Sequence, residues 1–271
     1  MLIFVPTPIG NIADISLRTL EVLSTAEVFL CEDTRVTKQL LKILQERYSL
    51  ELQDHRTFYS LHSHNEDEFV AKLTPDYFDK VVVYMSDAGM PCVSDPGSRL
   101  VAYMQKNSLN YEILPGANAV LSAYAASGFS SSRFLFFGFL PHKGSERSGA
   151  LAKALYSGYV TILYEAPHRL LRLLYALEKE EPKRELFLAK ELTKRYQKFY
   201  KGTASEILQE LPTQVKGEWV VVIQNGNESS KESCITPKDI DELDIPKKQK
   251  AKLLAKITGK TVKEIYNTMV S

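Results

Sequence analysis

No apolar run in this sequence approaches the ~18 residues that would span a membrane. The opening stretch, MLIFVPTPIG, has no basic segment ahead of its apolar residues, so no secretory leader is expected and a cytosolic protein is. Cysteine is scarce. Cys31, Cys92 and Cys234 lie far apart, without metal-ligand spacing, as suits small apolar side chains in a reducing compartment. An excess of either charge is also missing. With 34 Lys and Arg against 33 Asp and Glu, the net charge of +1 excludes a polyelectrolyte binder as a whole. There is no G-x-G-x-x-G, no G-x-x-x-x-G-K-[ST] and no G-x-S-x-G. The common dinucleotide fingerprint, the P-loop and the nucleophile elbow are therefore all absent. His62 and His64 lack a third ligand, and no metal is expected.

What is present is a chain of 271 residues, 44% hydrophobic, enough for a sizeable core and two domains. Its focus is VVVYMSDAGMPCVSDPG, Val81 to Gly97. A continuous apolar run gives way to small and polar residues, as in a strand buried on both faces and the loop that follows it. Ala88 and Gly89 allow a ligand close to the main chain. In an open α/β sheet, ligands sit beyond the carboxyl ends of the strands. A plain strand-to-helix connection with its Asp residues as caps is the alternative.

Other strand-like runs end in similar loops: Leu2–Val5 in PTPIGN, Val28–Cys31 in EDTR, Tyr111–Leu114 in LPGANA. Helical stretches separate them, which predicts a mostly parallel α/β sheet. A second alternating unit begins near Arg133, with strands over 134–140, 159–164, 186–189 and KGEWVVVIQ, and an antiparallel addition over Tyr196–Tyr200. The expected organisation is an α/β domain over 1–115, a second over 116–226, a linker over 227–234 and a small helix-turn-helix-like tail over 235–271. In the tail, Thr261 and Glu264 have capping-box spacing.

Together these loops carry a resemblance. VPTPIGNIADIS, EDTR, SDAGMPCVSDPG, YEAPHRLL, AKELTK and KGEW lie in the order found in the tetrapyrrole-methylase-like methyltransferases. Within them the chain resembles the small-subunit ribosomal RNA methyltransferase I family, over residues 2 to 224. The resemblance implies two α/β domains around a cleft for S-adenosylmethionine, a homodimer, and methylation of a cytidine ribose 2′-hydroxyl in 16S rRNA. It implies a cofactor site formed by Pro8, Asp87, Ala88, Gly89, Met90, Pro115, Gly116, Asn118 and Ala119. Tyr164, Glu165, Gly217 and Glu218 would close it. Where related enzymes have Thr-Ser after the Pro-Gly, this chain has Asn118-Ala119, so the Asn118 amide would replace a hydroxyl contact.

Strand-end charges are the candidate proton acceptors: Glu32, Asp33, Asp95, Lys190 with Glu191, and Glu165. Helix caps and ion pairs are the other roles open to them. RNA needs cations. Residues 183–201 carry seven Lys and Arg against two Glu, and 246–271 seven Lys against one Glu. Arg35, Lys143, Arg147, Arg169, Lys194, Arg195 and Lys198 are the candidate contacts, with Tyr196, Phe199 and Tyr200 available to stack on bases or to fill a core. Rival activities are methylation of a tetrapyrrole, and RNA binding without catalysis.

Overall fold

Three runs of four apolar residues form the centre of the first sheet. β1 (Leu2–Val5), β2 (Val28–Cys31) and β4 (Val82–Met85) are buried at every position. Strands covered on both faces need apolar side chains throughout, which is why no alternation is visible in them. The edges are β3 (Thr57–Ser60) and β5 (Tyr111–Ile113), and the order β3-β2-β4-β1-β5 is parallel throughout. Val5 and Cys31 both stand level with Met85, so the three central strands finish together and their loops emerge side by side.

Helices cover both faces. α1 (Leu17–Thr25) and α2 (Thr34–Tyr48) bring Leu23, Leu41 and Leu44 against Ile3, Val5 and Val83. α3 (Glu66–Ala71) and α4 (Ser98–Lys106) bring Phe69, Leu100 and Met104 against Phe4 and Tyr84. Ser16 caps α1 and Asp33 caps α2. Glu66, a buried acid, receives the backbone N–H groups of Gly97 (2.8 Å) and Arg99 (3.1 Å) and so caps α4 from outside its own segment.

The second half also alternates strand and helix, but its sheet is mixed. The strands are β6 (Phe134–Phe139), β7 (Val160–Glu165), β8 (Leu186–Lys190), β9 (Lys198–Gly202) and β10 (Trp219–Ile223), in the order β6-β7-β10-β8-β9. Only β6 and β7 are parallel; β10 runs against β7 and β8, and β8 against β9. The antiparallel addition starts two residues later than expected, because Tyr196 is turned out to solvent while Tyr200 packs on Trp219. One face carries α6 (Gly144–Leu155), α7 (Pro167–Glu180) and α8 (Ala204–Glu210). Against the other lies α5 (Ala119–Ser127), through Val120 and Ala123.

The computed structural model describes residues 1–226, 240, 242–258 and 260–270. Met1–Gly226 form one compact unit and Asn227–Ser271 another. Cys234 and the expected linker over 227–234 lie outside the described residues. In the smaller unit, helices Lys247–Thr258 and Val262–Val270 gather Ile240, Ala251, Leu254 and Ile265 into a cluster. The Thr261–Glu264 capping pair forms there. No helix among the described residues is long and apolar enough to cross a membrane.

Candidate active site

Because β1, β2 and β4 end level, their loops meet. Thr7 and Gly89 exchange backbone hydrogen bonds, both 3.0 Å, and the Thr7 hydroxyl donates to the Ser86 carbonyl at 3.2 Å. Asp33 N–H donates to Asp87 Oδ1 (3.0 Å), and Asp87 N–H to Glu32 Oε2 (3.2 Å). Glu32, Asp33 and Asp87 thus stitch two loops together. Burial, then the charges of Glu32 and Asp33, raises the Asp87 carboxyl above its ordinary range. Asp33 is held down to about 2, because the Arg35 side chain and backbone both donate to it.

Between these loops and the strand ends of the second sheet lies a cavity of about 420 Å³, within the size range of small-molecule sites. From the first sheet it is lined by Ile9, Ala88, Gly89, Met90 and Asp95, with Val93 and Ser94 between them. Asn118 and Ala119 follow from the start of α5, and Tyr164, Glu165 and Glu218 come from the second sheet. No lysine or arginine is among the lining residues. Gly89 has φ +87°, and a Cβ there would stand 3.2 Å from the Ile9 side chain, so the loop lies open only as glycine. Asp95 is half-buried, and its carboxyl is pushed up to about 6 by burial and by the charges of Glu32 and Asp87, against the Ser86 hydroxyl.

The model of the tetrapyrrole (corrin/porphyrin) methylases matches residues 1–208. A Campylobacter fetus protein called "Ribosomal RNA small subunit methyltransferase I" is 48% identical over 273 residues, covering 100% of both chains. A Helicobacter pylori protein of the same name is 47% identical and covers 98% of this chain and 96% of its own. The chain belongs to the ribosomal RNA small subunit methyltransferase I family, among the tetrapyrrole methylases. Among solved structures, a diphthine synthase shares the fold with a TM-score of 0.61 at 16% identity, over 82% of this chain and 89% of that one.

Of the residues that the resemblance assigns to the cofactor, Pro8, Asp87, Pro115, Gly116 and Gly217 are not among those lining the cavity. Gly116 is pressed on Pro6, where a Cβ would meet the proline ring at 2.4 Å. Gly217 makes room for Glu191, whose Cγ a Cβ there would meet at 2.8 Å. The Asn118 side-chain oxygen caps α5, accepting from Leu121 N–H at 3.0 Å, which leaves both donors of its amide nitrogen for a ligand.

Lys190 and Glu191 do not form the expected pair. Lys190 Nζ sits 5.8 Å over the Trp219 ring. Glu191 receives Glu218 N–H (2.8 Å) and Lys194 Nζ (3.2 Å), and the latter also reaches Glu218 at 2.9 Å. Burial opposes the Glu191 charge, but these donors outweigh it and hold its carboxyl low.

Arg147 and Arg169 are not surface cations. Arg147 bonds the buried Glu165 and the Pro141 carbonyl, and Arg169 Nε lies 2.8 Å from Glu165 Oε1. Tyr200 is core. Arg35, Lys143, Arg195 and Lys198 are exposed, Arg35 paired with Asp33 and Arg195 lying against Tyr196.

Sequence reasoning missed Phe139, Leu192 and Trp219 as wall residues. The glycine inside FLFFGF was a signal for the first, since glycine within a strand marks a bulge.

Proposed function

We propose that the chain is an S-adenosylmethionine-dependent methyltransferase that methylates a cytidine ribose 2′-hydroxyl in the 16S rRNA of the small ribosomal subunit. The observation that carries this reading is the wall of the cavity: open backbone, aromatic rings and carboxylates, with no lysine or arginine. Such a wall suits a cationic nucleoside. Tyr164 supplies an aromatic ring to the wall, and Asp95 and Glu218 offer negative charge. Ala88 to Met90 hold the ligand through the main chain, and Ala119 with the Asn118 amide flank it.

When bound, S-adenosylmethionine supplies a sulfonium methyl group to an in-line displacement. The protein's part is to hold the ribose hydroxyl in line and to take its proton. Orientation of this kind is worth about 7–11 kcal/mol, and a general base about 10²–10⁴-fold in rate. Asp95 is the carboxylate in the wall whose protons exchange near neutrality, and it takes that role in preference to Glu32 and Asp33, which tie loops together.

The RNA path runs over Lys143, Arg195 and Lys198. The enzyme works in the cytoplasm as a homodimer. Its apolar contact is α5, which has no charged residue and leaves Leu121 55% exposed.

The test offers labelled cofactor with small subunits lacking the modification, with naked rRNA and with a porphyrin precursor. Label in rRNA cytidine ribose is expected. Label in the porphyrin would replace this reading, and cofactor binding with no transfer would leave an RNA-binding protein.

A further inference from the structure

Phe136 and Phe139 both pack on Tyr164, with ring centroids 5.1 and 5.4 Å away. On a regular strand, residues three apart face opposite ways. Here the register breaks between them. Phe136 pairs with Ile162 and Gly138 with Leu163, which leaves Phe137 as an extra residue, and Gly138 takes φ +74°. This is a β-bulge, the device that re-aims a side chain. Phe137 packs into the core on one face, whereas Phe139 is turned to the cavity.

Turning Phe139 this way does little for the fold, because 54% of the residue stays exposed while it lines the cavity. Val93, from the loop after β4, is a second apolar wall residue left 44% exposed. Four residues beyond Phe139, Lys143 is free to meet a phosphate. A flat apolar ring at a cavity rim, followed four residues later in the chain by an exposed cation, matches a nucleotide: a base with a π-face, joined to a charged backbone.

We propose that Phe139 is the platform on which the base of the target nucleotide stacks, unstacked from its RNA neighbours, so that its ribose reaches the cavity. The proposal rests on the RNA reading above. Ribose chemistry inside a folded RNA needs the nucleotide splayed out, and an aromatic face is the usual support for a base so displaced.

The test uses the full chain with small subunits lacking the modification. Phe139→Ala is expected to lower kcat/KM for subunits about tenfold or more, a clearly larger factor than any loss of S-adenosylhomocysteine affinity measured by calorimetry. Phe139→Trp should keep most activity. The chain has one native tryptophan, so the added emission in that variant is resolvable against the parent and should be quenched by RNA. An unchanged kcat/KM in Phe139→Ala would overturn the platform, as would an equal loss of S-adenosylhomocysteine binding. A change of oligomeric state would instead assign the ring to a subunit contact. If the parent itself transfers no label to rRNA, the RNA reading has failed first; transfer by the parent with an unaffected Ala variant rejects the platform alone.

Discussion

Thr7 and Gly89 lie on different loops and pair as a two-residue antiparallel bridge, each donating its N–H to the other's carbonyl at 3.0 Å. The bridge fixes the β4 loop at the height where the cavity opens. Gly89 holds it with φ +87° and with only 3.2 Å between a would-be Cβ and Ile9. A β-branched side chain there meets both the conformational cost, about 1–2 kcal/mol, and the contact. Gly89→Val is expected to weaken S-adenosylhomocysteine binding at least tenfold in calorimetry, with circular dichroism unchanged.

On the far side of the same β1 loop, Asn11 N–H donates to Thr193 Oγ1 at 3.0 Å. Gly10 allows this approach. A Cβ on it would stand 2.4 Å from Lys194 Cγ and 2.7 Å from the Leu192 carbonyl oxygen, which cannot swing aside. The loops of the two sheets are seated on each other through a single missing methyl group. Gly10→Ala should cost about 1–3 kcal/mol as an overpacked contact, read as a lower denaturant midpoint. It should weaken cofactor binding about tenfold as the two walls of the cavity part. Thr193→Ala removes only the hydrogen bond and should cost about 1 kcal/mol.

Arg147 and Glu165 are both out of water, with 6% and 0% of their side chains exposed. A buried carboxylate stripped of one partner is costly, about 3–5 kcal/mol. Glu165 keeps Arg169 at 2.8 Å, so Arg147→Ala is expected to lower stability by the lower end of that range, about 3 kcal/mol, in urea unfolding. Arg35→Ala, at an exposed pair, should leave the urea midpoint unchanged.

The sequence is readable where one physical requirement dominates. β1, β2 and β4 announce themselves because strands covered on both faces must be apolar throughout, and the loops after β1 and β4 because proline fixes its own φ and glycine tolerates the positive φ and close approach that other residues do not. That Ala88 to Met90 would line an open space beyond the strand was legible for the same reason. The destination of a charge was not. Arg147 and Arg169 look like surface cations in sequence, and only the fold shows the buried Glu165 that claims them. The pairing direction of β10 was equally hidden, since strand–helix alternation does not specify which neighbour a strand joins. Phe139 was hidden because a period-two reading assigns it to the wrong face until the bulge at Phe137 is known.

Asp95 combines a role at the cavity with a cost to the fold. Its carboxyl is pushed from 3.8 to about 6, first by burial and then by Glu32 and Asp87. A folded-state value above the unfolded one means that the protonated form is the better tolerated. The group's relative stabilisation is therefore full below pH ~4 and is lost as pH rises through about 6. Asp95→Asn should raise stability at pH 8 by about 1 kcal/mol, less than the full shift implies because the side chain is partly solvated. At pH 4 it should make no difference. Activity runs the other way. The acceptor must be ionised, so the parent's single-turnover rate should climb through pH ~6 to a plateau, and Asp95→Asn should lose about 10²–10³-fold in rate and flatten that profile. A variant more stable than the parent at pH 8 yet slower by that factor would identify the burial of Asp95 as serving the reaction rather than the fold.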